Sequence, residues 1–483
     1  MDRGVFIAGA WEASAGLDRH EVLNPATGER VGSTALADAL TVDRAVVAAE
    51  AAAPLLAATD ARERAGWLTR AAALMETRED AMARLLTREG GKPVADNVKE
   101  IRFGAEVLRF YAAEGMRVGG SLRPASSRDL RNLVTFHPAG VAAAIVPWNY
   151  PLDLYCWKVG PALAAGCPVV VKSPHETPLA VALLVDCLHE AGVPAGALSD
   201  LPGLGPVAGE ALAAHPRVRV LSATASVPAG QAIVRAAAGN LKRLVLELGG
   251  HAPFVVMAGA DLVEAARACH RRAFSNMGQI CITVNRVLVD TAVAGEFAEI
   301  LAALADATVL GDGLEPGVAY GPVQNPSVIA RTERHLADAV AKGGRVVAGG
   351  GRPEDAALAR GLFFRPTIVA DVPLDSLPMV EESFGPLAAM ATFHTEAEML
   401  AMANALDYGL AAYLYDADLE RAWALADRLE FGAVGINVSD TSELQAPFGG
   451  WKMSGWGREL GPEGLQAYLE PKHLKIRVRA RPG

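Results

Sequence analysis

Cys281 ends the segment Phe274-Ser275-Asn276-Met277-Gly278-Gln279-Ile280-Cys281 and is the first candidate for a reacting group. A single cysteine is more often a small buried apolar residue than a nucleophile. This one follows a Gly-Gln turn and lies between Ile280 and Ile282, which suits a thiol presented where a strand meets a helix. The chemistry open to such a thiol is attack on an electrophilic carbon.

A glutamate lies 34 residues before this cysteine, in the segment Leu246-Glu247-Leu248-Gly249-Gly250. A glutamate with a purely structural role prefers a solvated position, whereas Glu247 ends an apolar strand. The two glycines allow the backbone to approach a ligand closely. Partial burial would raise the pKa of the Glu247 carboxyl, and a raised pKa suits a general base.

Asn149 lies in Pro147-Trp148-Asn149-Tyr150-Pro151, directly after an apolar stretch that predicts a strand. An asparagine next to proline often forms a turn and has no further role. An amide fixed between aromatic and proline neighbours also suits an oxyanion donor. The pattern alone leaves both interpretations open.

These three segments belong to a set of six ordered motifs that resembles the aldehyde dehydrogenase superfamily over nearly the whole chain. The other three are Lys172 with Pro174 and Thr177-Pro178 after it, then Glu381-Glu382-Ser383-Phe384-Gly385-Pro386, then Pro447-Phe448-Gly449-Gly450 followed by Lys452, Ser454-Gly455 and Gly457-Arg458-Glu459. Their order and separations are similar to those of NAD(P)-dependent, non-acylating members.

The resemblance implies a mechanism for the oxidation of an aldehyde to its carboxylic acid. Cys281 attacks as a thiolate to give a thiohemiacetal, and the Asn149 side chain and the Cys281 backbone N–H hold the oxyanion. A nicotinamide takes the hydride, which leaves a thioester. Glu247 then activates the water that hydrolyses it. No metal is expected, since no His/Cys ligand spacing is present.

The resemblance also implies the contacts of the cofactor, NAD or NADP. Lys172 is expected to bind the adenosine ribose, Glu382 the nicotinamide ribose, and Phe384 to pack beside the nicotinamide ring. The remaining expected cofactor contacts are Pro147, Trp148, His175, Ser226 and Gly249.

Two positions depart from the family pattern. Ala223-Thr224-Ala225-Ser226-Val227 replaces the usual Phe-Thr-Gly-Ser-Thr, yet Ser226 still predicts a helix N-cap facing the pyrophosphate. His175 stands where many NAD-preferring relatives have a glutamate that repels a 2′-phosphate. A histidine does not repel this phosphate and would attract it if protonated, so NADP use stays open. Glu176 as a substitute carboxylate and a surface histidine with no role are the alternatives.

Alignment by motif predicts a substrate tunnel with aromatic and polar walls, lined by Tyr150, Asp153, Leu154, Trp157, Ser275, Ile280, Ile282, Asp440 and Ser442. Carboxylates beside aromatic rings suit an ammonium group, so one hypothesis is an amino- or hydroxy-aldehyde substrate. Succinate semialdehyde is less favoured, because no arginine is identified at a tunnel position. The alternative for Asp153 is that it turns away and bonds a helix end.

The elements that must position these residues follow from the pattern of the chain. Helices are predicted from about residue 41 to 115, one strand from 133 to 146, and alternating strands and helices after it, as in a parallel sheet covered on both faces. The glycine run Gly203–Gly209 is interpreted as a turn before a helix rather than a dinucleotide fingerprint, since weak strand material precedes it. The final residues 474–479 alternate as an edge strand would.

The expected fold class is α/β, with a Rossmann-like cofactor domain, an α/β catalytic domain and a small β oligomerisation arm. The expected boundaries are 1–117 and 140–247 for the NAD(P)-binding domain, 248–440 for the catalytic domain, and 118–139 with 441–483 for the arm. The resemblance implies a homodimer or homotetramer.

Composition excludes several other classes of protein. The chain has 483 residues, 51% of them hydrophobic, and a net charge of −10, which argues against disorder and against a nucleic-acid partner. No signal peptide or membrane span is recognised, and five scattered cysteines without a CxxC pair indicate reduced thiols and a cytoplasmic location. No nucleic-acid or membrane partner is expected, and the resemblance implies a small-molecule aldehyde.

Three alternative functions keep the same fold. A CoA-acylating semialdehyde dehydrogenase would not need Glu247 to activate water. A catalytically silent binding protein would not need Cys281, Glu247 and Asn149 together. A thiol esterase without redox chemistry would leave Lys172 unexplained, together with Glu382 and Phe384.

Overall fold

The central strands of the first large sheet are buried at every position, because helices cover both of its faces. In the computed structural model, which describes residues 1–14 and 16–478, all four residues of Val169–Lys172 are buried. The sheet order is Gly455–Trp456, Arg243–Glu247, Val220–Thr224, Ala142–Ile145, Val169–Lys172, Leu198–Asp200, Val5–Ile7 and Ala10–Glu12. Its five central strands are parallel, so their carboxyl ends lie along one edge.

The second large sheet belongs to the lobe that carries Cys281. Its order is Arg345–Ala348, Thr367–Ala370, Leu387–Phe393, Val284–Asp290, Ala252–Val256, Ala411–Tyr415 and Ala433–Ile436. All of its pairs are parallel except the edge strand Arg345–Ala348. Two parallel sheets flanked by helices agree with the predicted α/β class.

Helices dominate the first quarter of the chain, as predicted, and afterwards alternate with strands. The α-helices are Ala39–Ala58, Ala61–Thr77, Glu79–Gly90, Val94–Met116, Pro151–Ala165, Pro178–Glu190, Glu210–Ala214, Val227–Ala237, Leu262–Phe274, Ala294–Asp306, Pro326–Ala341, Leu377–Val380, Glu396–Asn404, Leu419–Ala426 and Gly461–Gln466. Among the residues described, none of these helices combines the length and apolarity needed to cross a membrane.

The strand predicted from 133 to 146 is two strands in two sheets. Leu130–Pro138 pairs with Ser121–Arg123 and Leu469–Arg477 in a separate sheet, whereas Ala142–Ile145 is central in the first large sheet. Gly140, at a φ of 114°, redirects the chain between them. The remaining small sheets are Asp2–Arg3 with Arg30–Ala35 and Arg19–Leu23, and Tyr408–Gly409 with Trp451–Lys452.

The arm sheet contains fewer residues than the ranges 118–139 and 441–483 that were expected to form it. Leu469–Arg477 is the predicted edge strand, and the last expected arm residues, 479–483, lie outside the described part of the chain. Residues 441–468 lie with the large lobes instead, because Gly455–Trp456 pairs with the end of Arg243–Glu247. The C-terminal segment therefore joins the end of the strand Arg243–Glu247 to the arm sheet.

A buried ion pair fixes this return of the chain. Lys158 is fully buried in the helix Pro151–Ala165, and its Nζ lies 2.9 Å from Glu459 Oε1 and 2.7 Å from Thr224 Oγ1. Ser222 donates to the same carboxylate oxygen at 2.5 Å. The hydrogen bonds offset part of the cost of removing both charges from water.

Replacing Lys158 with methionine should destabilise the protein strongly, because Glu459 would keep a buried charge without its partner. Loss of one member of a buried pair costs about 3–5 kcal/mol. Thermal and urea unfolding would measure the loss. Arg84→Ala is the matched control, since the Arg84–Asp80 pair is 55% and 76% exposed and such pairs contribute about 0–1 kcal/mol. Similar unfolding curves for the two variants would contradict the assignment.

Candidate active site

A cleft lies along the carboxyl edge of the first sheet, where parallel α/β sheets commonly bind ligands. Its volume is about 860 Å³. All eight residues predicted to contact the cofactor line it, together with Asn149 and Cys281. The segments that follow Ala142–Ile145, Val169–Lys172, Val220–Thr224 and Arg243–Glu247 supply most of the lining.

The sequence interpretation missed one wall of this cleft. Gly205, Pro206, Gly209 and Glu210 line it, although the glycine run was set aside as a simple turn. Residues 205–209 form a π-helical turn before Glu210–Ala214, and Leu198–Asp200 before them is a strand of the sheet. The strand is only three residues long, so its pattern was too short to support a fingerprint.

Cys281 lies in the turn between a 3₁₀ turn, Ser275–Gly278, and the strand Val284–Asp290, so a helix precedes it and a strand follows. Asn276, Met277 and Gly278 have φ values of 48°, 55° and 72°. Backbone in this region is strained for residues other than glycine, by about 1–3 kcal/mol each. The strained turn places Cys281 at the cleft, where its thiol is partly accessible.

The environment of Cys281 disfavours the thiolate in the ligand-free protein. Burial, followed by the charges of Glu247 and Glu382, raises the pKa of the thiol to about 12. The backbone N–H groups of Cys281 and Ile282 act in the opposite direction, because they face the sulfur. A group that neutralises the nearby carboxylates would therefore promote ionisation of the thiol.

Asn149 is held against the turn that carries Cys281. Its Nδ2 donates to the Gln279 carbonyl oxygen at 2.9 Å, and the backbone carbonyl oxygen of Asn149 accepts from Asn276 Nδ2 at 3.2 Å. An amide nitrogen has two hydrogens, so one donor remains available on the cleft side. This geometry favours the interpretation of Asn149 as an oxyanion donor over that of a turn former.

A buried ion pair supports the segment around Asn149 from behind. Lys92 pairs with Glu100, and its Nζ lies 3.6 Å from the centre of the Tyr150 ring. Glu100 Oε1 accepts from the Leu152 N–H at 2.9 Å, at the start of the helix Pro151–Ala165. The pair and the helix start therefore fix the residue that follows Asn149.

Glu247 ends its strand as a buried carboxyl, 2% exposed, whose oxygens have no hydrogen-bond partner among the described residues. Burial, and then the charge of Glu459, raises its pKa well above the usual range, although Lys158 acts against this shift. An unpaired buried carboxyl is costly and rare, so it marks a functional group.

Close contacts explain why glycines occupy the two positions that follow Leu248. A Cβ on Gly249 would lie 2.3 Å from Glu382 Oε2, and a Cβ on Gly250 would lie 2.4 Å from the Cys281 carbonyl oxygen. The Gly250 N–H donates to Glu382 Oε1 at 3.2 Å. The strand end therefore contacts both the turn that carries Cys281 and the Glu382 carboxylate.

Glu382 and Phe384 lie at one end of the cleft. Burial raises the pKa of Glu382 to about 7, despite the hydrogen bond from Gly250. Phe384 has a φ of 46°, and its ring packs edge-to-face on Trp148 with 5.7 Å between the centroids. Arg331, which the sequence interpretation missed, lines the cleft here and adds a positive charge.

Lys172 and Ser226 line the cleft farther along. Lys172 ends its strand as a buried amine whose pKa burial lowers. Ser226 is the N-cap of the helix Val227–Ala237, as predicted, and its Oγ accepts from the Ala229 N–H at 3.4 Å. A helix N-terminus suits a phosphate group, and the cleft is large enough for a dinucleotide.

His175 does not supply the positive charge considered for a 2′-phosphate. Burial lowers its pKa, and only the charge of Glu176 acts in the opposite direction. Its ring contacts His20, with 4.8 Å between the centroids, and its Nδ1 lies 3.1 Å from Glu176 Oε2. A neutral imidazole beside a carboxylate therefore lines this part of the cleft.

The carboxyl of Asp153, which suggested a cationic substrate, is bound within its own helix. Asp153 is 8% exposed and accepts from Trp157 Nε1 at 2.6 Å, within its own helix. Burial and the charge of Glu100 raise the pKa of Asp153 well above its usual range. This contact favours the alternative that Asp153 turns away from the substrate over the expectation that it anchors an ammonium group.

An arginine does reach the expected tunnel residues, contrary to the sequence interpretation. Arg272 Nη2 lies 2.8 Å from Asp440 Oδ2, and its Nε donates to the Ser439 carbonyl oxygen. Burial raises the pKa of the Tyr150 and Tyr413 phenols, and the charge of Arg272, which lies close to both, acts in the opposite direction. The helix position of Arg272, before the Ser275–Cys281 segment, gave no sequence signal for this contact.

The other expected tunnel residues are spread around the start of the helix Pro151–Ala165 and the turn of Cys281. Leu154, Trp157, Ile280 and Ile282 are buried, and Trp157 packs on Phe448 at 5.1 Å between the centroids. Ser275 contacts Tyr320, and the Ser442 N–H donates to Asp440 Oδ1. None of the nine lines the large cleft described above.

Comparison with known sequences gives a consistent result over the whole chain. The model of the aldehyde dehydrogenase family matches residues 11–474. The chain is 41% identical to glutarate-semialdehyde dehydrogenase of Pseudomonas putida, covering 98% of this chain and 97% of that protein. It is also 41% identical to the NADP-dependent succinate-semialdehyde dehydrogenase of Escherichia coli, with the same coverage of 98% and 97%.

Solved structures agree with the architecture. An NADP-dependent enzyme of Escherichia coli superposes with a TM-score of 0.96 at 40% identity, covering 99% of this chain and 98% of that chain. The structure of PnpE in complex with nicotinamide adenine dinucleotide superposes with a TM-score of 0.97 at 35% identity, covering 100% and 99%.

Alkylation of Cys281 by iodoacetamide should report the raised pKa of its thiol. In the ligand-free protein the rate should still increase at about pH 10, where an ordinary thiol is fully ionised. Glu247→Gln should shift the profile to lower pH, because it removes a negative charge near the sulfur. Cys281→Ala controls for the four buried cysteines. A rate that levels off near the ordinary thiol pKa in both proteins would contradict the assignment.

Proposed function

The chain belongs to the aldehyde dehydrogenase family, and we propose that it oxidises its aldehyde through a covalent intermediate on Cys281. It is an NAD(P)-dependent aldehyde dehydrogenase. The observation that carries the proposal is the convergence of Cys281, Asn149 and Glu382 on one cleft. A thiol esterase would require neither Glu382 nor the remaining walls of the cleft.

The residues that would hold the cofactor fit a dinucleotide. Lys172, Glu382 and Phe384 line the cleft with the N-cap Ser226, and Gly249 has no side chain where Glu382 must approach. The bound nicotinamide supplies the hydride acceptor. A cation in the cleft would also counter the carboxylate charges that raise the pKa of Cys281.

The first chemical step is attack of the Cys281 sulfur on the aldehyde carbon. The bond between carbon and sulfur forms as the carbonyl π bond becomes an oxyanion. The free Asn149 Nδ2 hydrogen and the Cys281 backbone N–H are the donors available to that oxygen. Collapse of the oxyanion with loss of hydride gives a thioester on Cys281.

Glu247 is the base for hydrolysis of the thioester. Its carboxyl is buried, has no hydrogen-bond partner among the described residues, and influences the charge state of Cys281. Water donates a proton to Glu247 and adds to the thioester carbon, and the sulfur leaves as the acid is released. The overall reaction consumes aldehyde, water and oxidised cofactor and yields acid, reduced cofactor and a proton.

Glu247 also separates this reaction from the acylating alternative. A transfer of the acyl group to CoA would not need a base for water, whereas this chain buries a carboxyl at that position at an energetic cost. A silent binding protein would have no reason to retain a strained turn under Cys281.

We propose a substrate with an anionic group distant from the aldehyde, in place of the amino-aldehyde hypothesis. The relatives named above act on glutarate and succinate semialdehydes, both of which carry a carboxylate. Arg272 is 10% exposed, whereas its partner Asp440 is 61% exposed. A substrate carboxylate could therefore replace Asp440 on the guanidinium. A hydroxyl elsewhere on the substrate is compatible with this geometry.

The arm sheet supports the expected homo-oligomer. Leu122, Phe136 and Ile476 are 66%, 42% and 45% exposed on its strands. Apolar side chains on an exposed sheet favour pairing with another subunit. We propose a second copy of this chain as the partner, in a homodimer or homotetramer. The five unpaired cysteines are consistent with a reducing cytoplasm.

The substrate proposal can be tested by the absorbance of reduced nicotinamide with matched aldehydes. Succinate and glutarate semialdehydes should exceed butanal, pentanal and aminobutanal in kcat/KM, and Cys281→Ala should abolish turnover with each. Arg272→Gln should lower kcat/KM for the semialdehydes roughly tenfold or more, since a hydrogen bond to a charged group contributes about 1.5–3 kcal/mol.

Arg271→Gln is the control for this variant, because Arg271 is adjacent and contacts the same loop through Ser439 Oγ. It should leave the preference unchanged. A faster reaction of the neutral aldehydes, or of aminobutanal, would overturn the proposed substrate class. Turnover that persists in Cys281→Ala would overturn the covalent mechanism.

The choice between NAD and NADP should depend on Glu176. Its carboxylate lines the cleft beside His175 and Lys172, so it opposes a 2′-phosphate by charge repulsion. Glu176→Gln should raise kcat/KM for NADP relative to NAD roughly tenfold, equivalent to about 1.4 kcal/mol. His175→Gln replaces a neutral ring and serves as the control. Equal ratios in both variants would show that the charge of Glu176 does not discriminate.

A further inference from the structure

Residues 381–384, here called the nicotinamide-side segment, have no regular secondary structure. They follow the short helix Leu377–Val380 and precede the strand Leu387–Phe393. The segment nevertheless presents Glu382 and Phe384 to the cleft in one orientation. Its backbone includes the left-handed φ of Phe384, which a free loop would not retain.

One restraint comes from the residue after the Glu-Leu-Gly-Gly motif. His251 is fully buried, and its Nε2 lies 2.9 Å from the Glu381 carbonyl oxygen. A carbonyl oxygen can only accept a hydrogen bond, so Nε2 must carry the hydrogen. The imidazole is neutral, because burial and the nearby Arg286 lower its pKa well below the usual range.

His251 acts together with its neighbour Gly250. The Gly250 N–H donates to the Glu382 carboxylate, while the His251 ring donates to the backbone of Glu381. Arg286 Nη2 donates to the His251 carbonyl oxygen at 3.0 Å and so fixes the backbone of His251. Two consecutive residues therefore bind two consecutive residues of the nicotinamide-side segment.

A second restraint comes from the helix Pro326–Ala341 on the other side. His335 is fully buried, and its Nδ1 lies 2.9 Å from the hydroxyl of buried Ser383. Arg334 Nη2 lies 3.3 Å from His335 Nε2 and 2.7 Å from Glu381 Oε2. His335 Nε2 also lies 3.4 Å from Glu381 Oε2, so it faces both a donor and an acceptor. Since a hydroxyl can donate or accept, Nδ1 and the Ser383 hydroxyl share a hydrogen bond in either tautomer.

We propose that His251 and His335 are positioning residues that hold the nicotinamide-side segment, and through it Glu382 and Phe384, for the nicotinamide half of the cofactor. This inference rests on the cofactor contacts under the proposed function. Neither histidine lines the cleft, so each acts only through the segment. The adenosine half contacts other elements and does not depend on them.

The test compares a complete cofactor with a fragment that lacks nicotinamide. Titration calorimetry would measure the dissociation constants of NADH and of ADP for the full-length protein. His251→Leu should weaken NADH binding roughly tenfold and leave ADP binding unchanged. His251→Gln should restore NADH binding, because its amide can donate to the Glu381 carbonyl. Equal weakening of both ligands would indicate general destabilisation and overturn the proposal.

Ser383→Ala tests the second restraint with a smaller change. It removes the hydrogen bond with His335 but leaves the buried imidazole in place. NADH binding should weaken several-fold, again without an effect on ADP. If His251→Leu does not fold, this variant decides the question. Wild-type NADH binding in Ser383→Ala would show that His335 does not position the segment.

Glu382→Gln separates a failure of this inference from a failure of the proposed function. Weaker NADH binding in Glu382→Gln with wild-type binding in His251→Leu and Ser383→Ala would overturn the positioning role alone. Wild-type NADH binding in all three variants would overturn the role of Glu382 as well. Wild-type ADP binding shows in either case that the cleft is intact.

Discussion

The absence of side chains at Gly249 and Gly250 is the steric constraint on which the site depends. The strand Arg243–Glu247 belongs to the first large sheet, while Cys281 and Glu382 precede strands of the second. Only a backbone without Cβ atoms lets them meet, since either Cβ would lie within 2.4 Å of an oxygen atom. The same contact brings Glu247 into electrostatic range of the thiol. Glu247, Cys281 and Glu382 are thus brought together by one close approach.

Two buried carboxyls near this contact, Glu459 and Glu247, differ in their hydrogen bonding. The Glu459 carboxylate accepts hydrogen bonds from Lys158 Nζ and Ser222 Oγ, so its buried charge is paired. Glu247, close enough to feel the charge of Glu459, receives no hydrogen bond within the described residues. A fold that satisfies one buried carboxyl and leaves its neighbour unsatisfied keeps the second available for proton transfer. The unsatisfied buried carboxyl lowers the free energy of unfolding of the protein.

Much of the cofactor side was predictable from the sequence, because its residues follow strands whose ends share one edge. Lys172 and Ser226 lie where the strand–helix alternation puts them. The substrate side was less predictable, since it depends on the direction of helical side chains and on contacts distant in sequence. Asp153 turns to Trp157, and Arg272 reaches Asp440 across 168 residues. Likewise, Gly140 splits one apparent strand into two sheets, which alternation alone does not reveal.

The return of the C-terminal segment has a consequence for how the protein is made. Gly455–Trp456 completes the edge beside Glu247, Glu459 meets Lys158, and Leu469–Arg477 pairs with Leu130–Pro138. A ribosome releases these residues long after the strands that they complete. Until then Lys158 has no carboxylate partner, and the first large sheet lacks its edge strand Gly455–Trp456. A chain truncated before Gly455 would leave Lys158 unpaired and the sheet edge beside Glu247 open, so it would be exposed to chaperones and proteases.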